Sequence, residues 1–525
     1  MEQKLVEMGK TSAKGSIQLF IGIAVSTIIM AVCTIILARL MTQEEYGLYS
    51  IALIPSSMMI LFRDWGVNSA ITKYVANLRA ENKIGHIKSI IYAGLTFEIL
   101  TGTVLTFLSL LLSNFIATTI FHRAELTFLI AIASTTILSG AILIAAQSTF
   151  IGFERMELNS LTAICQAIVK TIISPVLILL GYSTLGAVLG YTISLTIAAL
   201  ISILLLYFHI FRKLRIENLH KTSIKKTLKE MLRYGVPLSI SSILNGFLIQ
   251  FYAFLMAIYC TDLMIGNYQV AIQFATILTF FTIPISTVLF PAFSKINPQS
   301  ENELLQTVFA SSVKYASLIL VPITIGLMVL SKPMVSTLFG EKWTYAPLFL
   351  TLYVINNLFV IFGSLTLGNF IAGLGETKMQ MKLSLITLSI GIPLALIFIP
   401  SIGIMGLILT TIIAGKPSLV IGLYWARKKY NTKIDVKSSI RNLVASIFAA
   451  TTTFLVINFT AYADWIEFII GTLTFAATYL FTAPAMGAIN KSDINNLKTM
   501  FSGLGVLSKL INIPLNFMEK LPNLT

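Results

Sequence analysis

The chain has 525 residues, of which 56% are hydrophobic and only 11% charged, less than half the ~25% charged fraction of a soluble domain. That much apolar surface has no place inside a water-soluble fold, so composition alone puts the chain in a membrane. The formal net charge of +15 comes from 37 basic residues, but these lie between long apolar runs rather than on one domain, which argues against a nucleic-acid-binding protein.

A bilayer core of ~30 Å is spanned by about 20 apolar residues in a helix. In chain order the apolar runs predict helices near 15–38, 46–62, 89–112, 126–150, 161–180 and 185–207. A polar stretch follows, then runs near 236–259, 268–289, 313–330, 346–370, 383–399 and 404–426, and two more near 443–459 and 466–481. The first run exceeds the ~7–15 residues of a signal h-region and reads as a retained helix. The expected fold is an all-α integral membrane protein with about fourteen transmembrane helices. It divides into an N-terminal six-helix lobe (1–211), a basic linker (212–232), a C-terminal six-helix lobe (233–430), two further helices (431–490) and a tail (491–525). The tail spaces Leu497, Met500, Phe501, Leu504, Leu507 and Ile511 as an amphipathic helix would, suited to the inner membrane interface or to a biosynthetic partner.

Lys and Arg concentrate on one set of connections, including Arg63, Lys73, Arg79, Lys83 and Lys88, the run Arg212 to Arg233, and Arg427 to Arg441. The positive-inside rule makes these cytoplasmic, with both termini inside a cell membrane. The outward connections are short, which argues against an enzyme with a large external catalytic domain. Cys33, Cys165 and Cys260 lie inside apolar runs and offer neither a disulfide framework nor metal spacing. The four histidines are scattered, and no phosphate-cradling Gly-Lys-Ser/Thr loop occurs, so neither a metal, another cofactor nor ATP hydrolysis is expected.

The two six-helix groups correspond at a nearly fixed offset of about 220 positions, as parallel internal repeats do. Gly15 matches Gly235, Tyr46 to Ala52 matches Ile265 to Ala271, Gly152 and Glu154 match Gly375 and Glu376, and Leu185-Gly186 matches Met405-Gly406. Two parallel repeats suggest lobes enclosing a hydrated crevice that serves alternating access.

The run Ala38-Arg39-Leu40-Met41-Thr42-Gln43-Glu44-Glu45-Tyr46-Gly47-Leu48-Tyr49 resembles the helix 1–2 signature of Wzx-type polysaccharide-biosynthesis flippases. These belong to the superfamily of multidrug and oligosaccharidyl-lipid exporters. Thr42 and Gln43 stand where the family usually has Gly-Pro. Asp64-Trp65-Gly66-Val67, Gly152-Phe153-Glu154-Arg155 and Leu232-Arg233-Tyr234-Gly235-Val236-Pro237 resemble further family segments. The resemblance implies a non-enzymatic transporter that flips a polyprenyl-linked oligosaccharide to the outer leaflet. Membrane lipids, and glycosyltransferases or a polymerase of the same pathway, are its expected partners. A cation-coupled drug exporter of the same fold and a membrane glycan polymerase or glycosyltransferase are the competing readings.

A lipid-linked oligosaccharide presents a phosphate, so cations within the membrane are the candidates for binding it. Lys170 lies mid-way along the fifth predicted helix and Lys416 mid-way along the twelfth, between Gly415 and Pro417, where a local break is expected. Arg39 closes the first helix within the family signature, and Arg63 closes the second on the inner side with Asp64 beside it. An interfacial anchor is the competing role for both arginines. Glu98, at a depth similar to Lys170, is a candidate for carrying a coupling proton or for neutralising Lys170.

Overall fold

The computed structural model describes residues 2–81, 84–214, 224–460, 462–501 and 506–519. Among these residues the fold is helical throughout, with no strand. The helices are α1 (Glu2–Leu40), α2 (Gln43–Ile60), α3 (Val67–Ala80), α4 (Ile84–Phe115), α5 (Leu126–Gly152), α6 (Met156–Leu177), α7 (Ser183–His209), α8 (Ile224–Tyr259) and α9 (Asp262–Ser294). They continue as α10 (Asn302–Val329), α11 (Ser331–Phe339), α12 (Ala346–Val354), α13 (Ser364–Gly373), α14 (Thr377–Tyr430), α15 (Val436–Thr460), α16 (Asp464–Ala485), α17 (Lys491–Phe501) and α18 (Val506–Glu519). Backbone groups find no partners in hydrocarbon, so an apolar chain of this length must satisfy them internally, as helices do.

Ten helical stretches of the described residues are long and apolar enough to cross a membrane, with an eleventh if 346–362 and 364–373, bent by 58°, form one span. The expected fourteen is not the number of separate apolar helices, for two reasons. Residues 156–209 and 377–430 each run on as one 54-residue stretch, about 80 Å at 1.5 Å per residue, and so fold back on themselves. The first turns at Gly181 (φ 93°), bringing Gly190 against the Ser174 side chain. The second turns at Ile402 and Gly403, and its limbs join where the Thr387 and Ser418 hydroxyls lie 2.6 Å apart. The other reason is α2, whose 18 residues open on Gln43, Glu44 and Glu45 and are too polar to qualify by composition.

Contacts divide the chain into two units, 1–266 and 267–525. In the first, α1 packs on α6, α4 on α5, and both α5 and α6 on α7. The segment after α2, expected to be a cytoplasmic connection, is largely the helix α3, which buries Val67, Ile71 and Val75 against Ile87 and Ile91 of α4, Phe150 of α5 and Met231 of α8. α8 packs on α2, α3 and α4, so the contact-defined division falls beyond the basic segment 212–232. In the second unit Phe293, Phe309, Phe370 and Tyr430 form an aromatic core. The tail forms α17 and α18, whose Ile494, Leu497, Leu515 and Met518 are buried against Leu318, Ala445 and Ala483; Leu504, Leu507 and Ile511 fall on residues whose side chains are outside the description. Part of the apolar face that the spacing offered to lipid is thus covered by protein, and Asp493 pairs with Lys314 at 2.6 Å.

Lipid is as apolar as leucine, so close backbone approach and hydrogen bonds hold such helices together more than exclusion of water does. The clearest instance joins α2 to the start of α9. A Cβ on Gly47 would lie 2.0 Å from the Asp262 carbonyl oxygen, and one on Gly266 would lie 2.0 Å from that of Gln43. Gly47 and Gly266 are equivalent in the repeat, as are Gln43 and Asp262. The contact is therefore reciprocal under the same offset that the sequence displays.

Candidate functional site

α1 ends on the exposed Arg39, a cation at a helix C-terminus where the dipole favours it. Where the family signature usually has Gly-Pro, α2 starts on a capping box. The Thr42 hydroxyl accepts the Glu45 N–H at 3.2 Å, and the Thr42 N–H donates to the Glu45 carboxylate at 2.7 Å. These two bonds satisfy amides that would otherwise be orphaned at the helix start. The Ser183 hydroxyl donates to the same carboxylate, tying α7 to this corner.

Arg63 lies in the non-helical break between α2 and α3. It is 2% exposed, which rules out an interfacial anchor. Trp65 and Gly66 adopt left-handed backbone there, and the Asp64 carboxylate accepts the Asn68 N–H at 2.8 Å, starting α3. The turn directs the guanidinium inward, where its Nε lies 3.0 Å from Glu98 Oε2. Asn68 Nδ2 donates to the other Glu98 oxygen at 2.9 Å. Glu98 is fully buried, and its partner is Arg63 rather than Lys170. Sequence spacing placed Arg63 at a helix end because the apolar run stops there, and it gave Asn68 no role. The signal available was the Asp64–Asn68 spacing, which resembles a helix start.

Lys170 lies about 21 Å along α6 from Met156 at 1.5 Å per residue. Its ammonium sits 5.0 Å from the centre of the Tyr191 ring on α7. The adjacent Thr171 hydroxyl donates to the Ala167 carbonyl of its own helix at 2.7 Å and lies 3.3 Å from the Ile29 carbonyl of α1. Among the described residues no carboxylate pairs with Lys170.

Lys416 lies in the middle of the second limb of α14. The break expected at Gly415-Lys416-Pro417 is absent, since the helix runs through it. The irregular backbone is in the facing segment, a tight 3₁₀ stretch at Ile355–Phe362 between α12 and α13. Lys416 Nζ donates to Asn356 Oδ1 at 2.6 Å and lies 3.3 Å from the centre of the Phe359 ring. A Cβ on Gly415 would meet no atom within 4 Å, so space unfilled by protein adjoins the lysine. No described carboxylate pairs with Lys416 either. Among the described residues, the charges of Lys170 and Lys416 are met by an aromatic face and, for Lys416, a neutral amide rather than by a carboxylate. Within the first unit, Arg63 is engaged by Glu98 and not by Lys170. Among the described residues no three His, Cys, Asp or Glu side chains cluster as metal ligands would.

Apolar helices longer than a bilayer is thick, with mid-helix lysines and, beside Lys416, irregular backbone, fit a polytopic membrane transporter. The model of the polysaccharide biosynthesis protein family matches residues 12–297, and that of the lipid II flippase MurJ matches residues 157–474. Each covers more than half of the chain, and the chain belongs to the polysaccharide biosynthesis protein family, sharing the MurJ signature over its second part. It is 22% identical over 432 residues to an uncharacterized membrane protein of Methanocaldococcus jannaschii, covering 79% of this chain and 84% of that one. It is 25% identical over 375 residues to the lipopolysaccharide biosynthesis protein WzxC of Escherichia coli, covering 71% and 70%. The fold matches that of the lipid II flippase MurJ in an inward closed conformation, with a TM-score of 0.69 and 17% identity over 89% of this chain and 98% of that one.

Proposed function

We propose that the chain flips a polyprenyl-phosphate- or diphosphate-linked oligosaccharide from the cytoplasmic to the outer leaflet of the cell membrane, for assembly of a cell-surface glycan. The observation that carries this reading is the pair of deep lysines, Lys170 and Lys416, which lack carboxylate partners among the described residues. An ammonium in hydrocarbon is costly, and a site that retains one without an acid partner is suited to an anion that arrives and leaves. A drug exporter of cations would need deep carboxylates instead, and the fully buried Glu98 is already engaged by Arg63. Lys170 and Lys416 are the proposed phosphate contacts. Arg39 is proposed to act at the outer mouth, and Glu98 to take up a coupling proton when Arg63 releases it. The distribution of Lys and Arg supports a cytoplasmic position for both termini. Glycosyltransferases or a polymerase of the same pathway are the proposed protein partners.

The test is flipping in proteoliposomes loaded with a fluorescent polyprenyl-diphosphate oligosaccharide, read by the fraction of label that reaches a membrane-impermeant quencher. Wild-type protein is expected to expose the label. The Lys170→Ala/Lys416→Ala variant, inserted to the same level, is expected to expose little more than empty vesicles. Equal rates for the two proteins would remove the lysines from the mechanism.

A further inference from the structure

Lys416 and Asn356 meet at mid-span within the second unit. At 1.5 Å per residue, Lys416 is about 20 Å from both ends of its limb of α14, the turn at Gly403 and the C-terminus at Tyr430. Its Nζ donates to Asn356 Oδ1 at 2.6 Å. An ammonium has three N–H groups and no acceptor, so this bond fixes which way the carboxamide points. The oxygen is turned to the lysine, and Nδ2 is left to other partners. Asn356 is exposed, and no described acceptor takes its two Nδ2 protons. Phe359, one 3₁₀ turn further on and so on the same face of that stretch, sets its ring 3.3 Å from the same ammonium.

What this pair offers a ligand is therefore hydrogen-bond donors and positive charge. The amide oxygen is already engaged by Lys416, while both amide protons and the rest of the ammonium remain. A sugar hydroxyl is donor and acceptor at once, whereas the oxygens of an ionised phosphate only accept, and they do so most strongly from a cation. A carboxamide with unmatched N–H groups is costly to leave against acyl chains, so exposure at this depth marks space filled by water or by ligand. At the repeat offset described above, Lys416 corresponds to Thr196, and the 3₁₀ stretch corresponds to the unbroken helix α5. Both sides of the contact differ between the two copies, and the pair belongs to the second.

We propose, on the flippase reading above, that Asn356 and Lys416 form one clamp for the phosphate of the lipid-linked substrate. Lys416 supplies the charge, and Asn356 Nδ2 supplies a second, directional hydrogen bond to a phosphate oxygen. The clamp recognises the phosphate linkage rather than the glycan, and discrimination among sugars falls to other residues.

The test uses the full-length protein in detergent, titrated with a sugar-free polyprenyl diphosphate or with the uncharged polyprenol and read by native mass spectrometry. Wild-type protein is expected to prefer the diphosphate. Asn356→Ala is expected to bind it about tenfold more weakly, through loss of one charge-assisted hydrogen bond. Asn356→Asp is expected to lose the preference altogether, because the new carboxylate pairs with Lys416 and repels phosphate. Its melting temperature is expected to be no lower than that of Asn356→Ala, which separates lost binding from lost folding. If Asn356 only held the lysine in place, that carboxylate would hold it more firmly and binding would persist. Diphosphate binding by Asn356→Asp equal to that of wild-type protein therefore overturns the proposal. So does a defect in Asn356→Ala that appears only when the diphosphate carries its oligosaccharide, which assigns the amide to the glycan. Wild-type protein without a preference for the diphosphate overturns the flippase reading together with the clamp, whereas a wild-type preference that both variants keep overturns the clamp alone.

Discussion

Replacing Glu98 by alanine is expected to destabilise the first unit more than the loss of any single apolar contact. Glu98 is fully buried and Arg63 is 2% exposed, so neither charge is shared with solvent. The carboxylate accepts a hydrogen bond from Asn68 Nδ2 at 2.9 Å and pairs by charge with Arg63, whose Nε lies 3.0 Å from Oε2. Glu98→Ala leaves a guanidinium without a counter-charge and an amide without an acceptor. Breaking one side of a buried ion pair costs about 3–5 kcal/mol, because the remaining charge stays desolvated. The double variant Arg63→Met/Glu98→Leu removes both charges and keeps apolar volume, so it is expected to lose less than either single variant. The measurement is reversible unfolding in mixed micelles by rising dodecyl sulfate, followed by circular dichroism for all four proteins of the cycle. A coupling energy of about 2 kcal/mol or more is expected, since contacting residues depart from additivity. A loss below about 1 kcal/mol for Glu98→Ala, with additive behaviour in the double variant, would refute the picture of a dry ion pair.

Other expectations concern the lysines, the glycines and one partly buried acid. Lys170→Arg is expected to keep most flipping and Lys170→Met to lose it at equal membrane insertion, because the proposed role is charge; proteoliposome rates decide. Gly47→Ala forces a Cβ to 2.0 Å from the Asp262 carbonyl and is expected to destabilise by about 1–3 kcal/mol. Gly415→Ala meets no atom within 4 Å and is expected to be neutral, or to stabilise by up to about 1 kcal/mol through helix propensity; melting curves in detergent compare the two. Glu376, at the start of α14, accepts from Lys429 and from the Tyr430 hydroxyl at 2.7 Å, and these donors hold its carboxyl below the usual range. A depressed folded-state pKa means that the contribution is present above the ordinary carboxylate range and is lost as pH falls through the lowered value. Amide exchange at the α13–α14 turn is therefore expected to accelerate only in acid below that range, and Glu376→Gln to abolish that step.

Composition and apolar run length made the membrane fold legible, because the bilayer fixes both the length and the backbone state of each span. Most predicted runs, such as 126–150, fall within observed helices, here α5. The turns at Gly181 and Gly403 sat where the repeat placed helix boundaries, but run length alone gave no sign that helical backbone would continue to either side. α3 was missed because its moderate polarity looked like a connection, although burial of Val67, Ile71 and Val75 makes it part of the core. The capping box at Thr42 was readable from Thr-x-x-Glu, although Thr42-Gln43 departs from the Gly-Pro usual at that turn. Depth identified Lys170 and Lys416 as mid-span cations. It could not identify their partners, because pairing across helices depends on rotation about each axis, which sequence spacing leaves undetermined. For that reason the spacing offered Lys170 as one partner for Glu98, where the structure places Arg63.

The reciprocal meeting of Gly47 with Asp262 and Gly266 with Gln43 restricts how the duplicated halves can diverge. Each copy supplies the bare backbone against which the other's chain rests, so a bulky residue in one displaces the same strut that its counterpart needs. Drift elsewhere in the helices can proceed one half at a time. At this crossing the two copies inherit a joint constraint, and a viable change on one side calls for a matching change on the other.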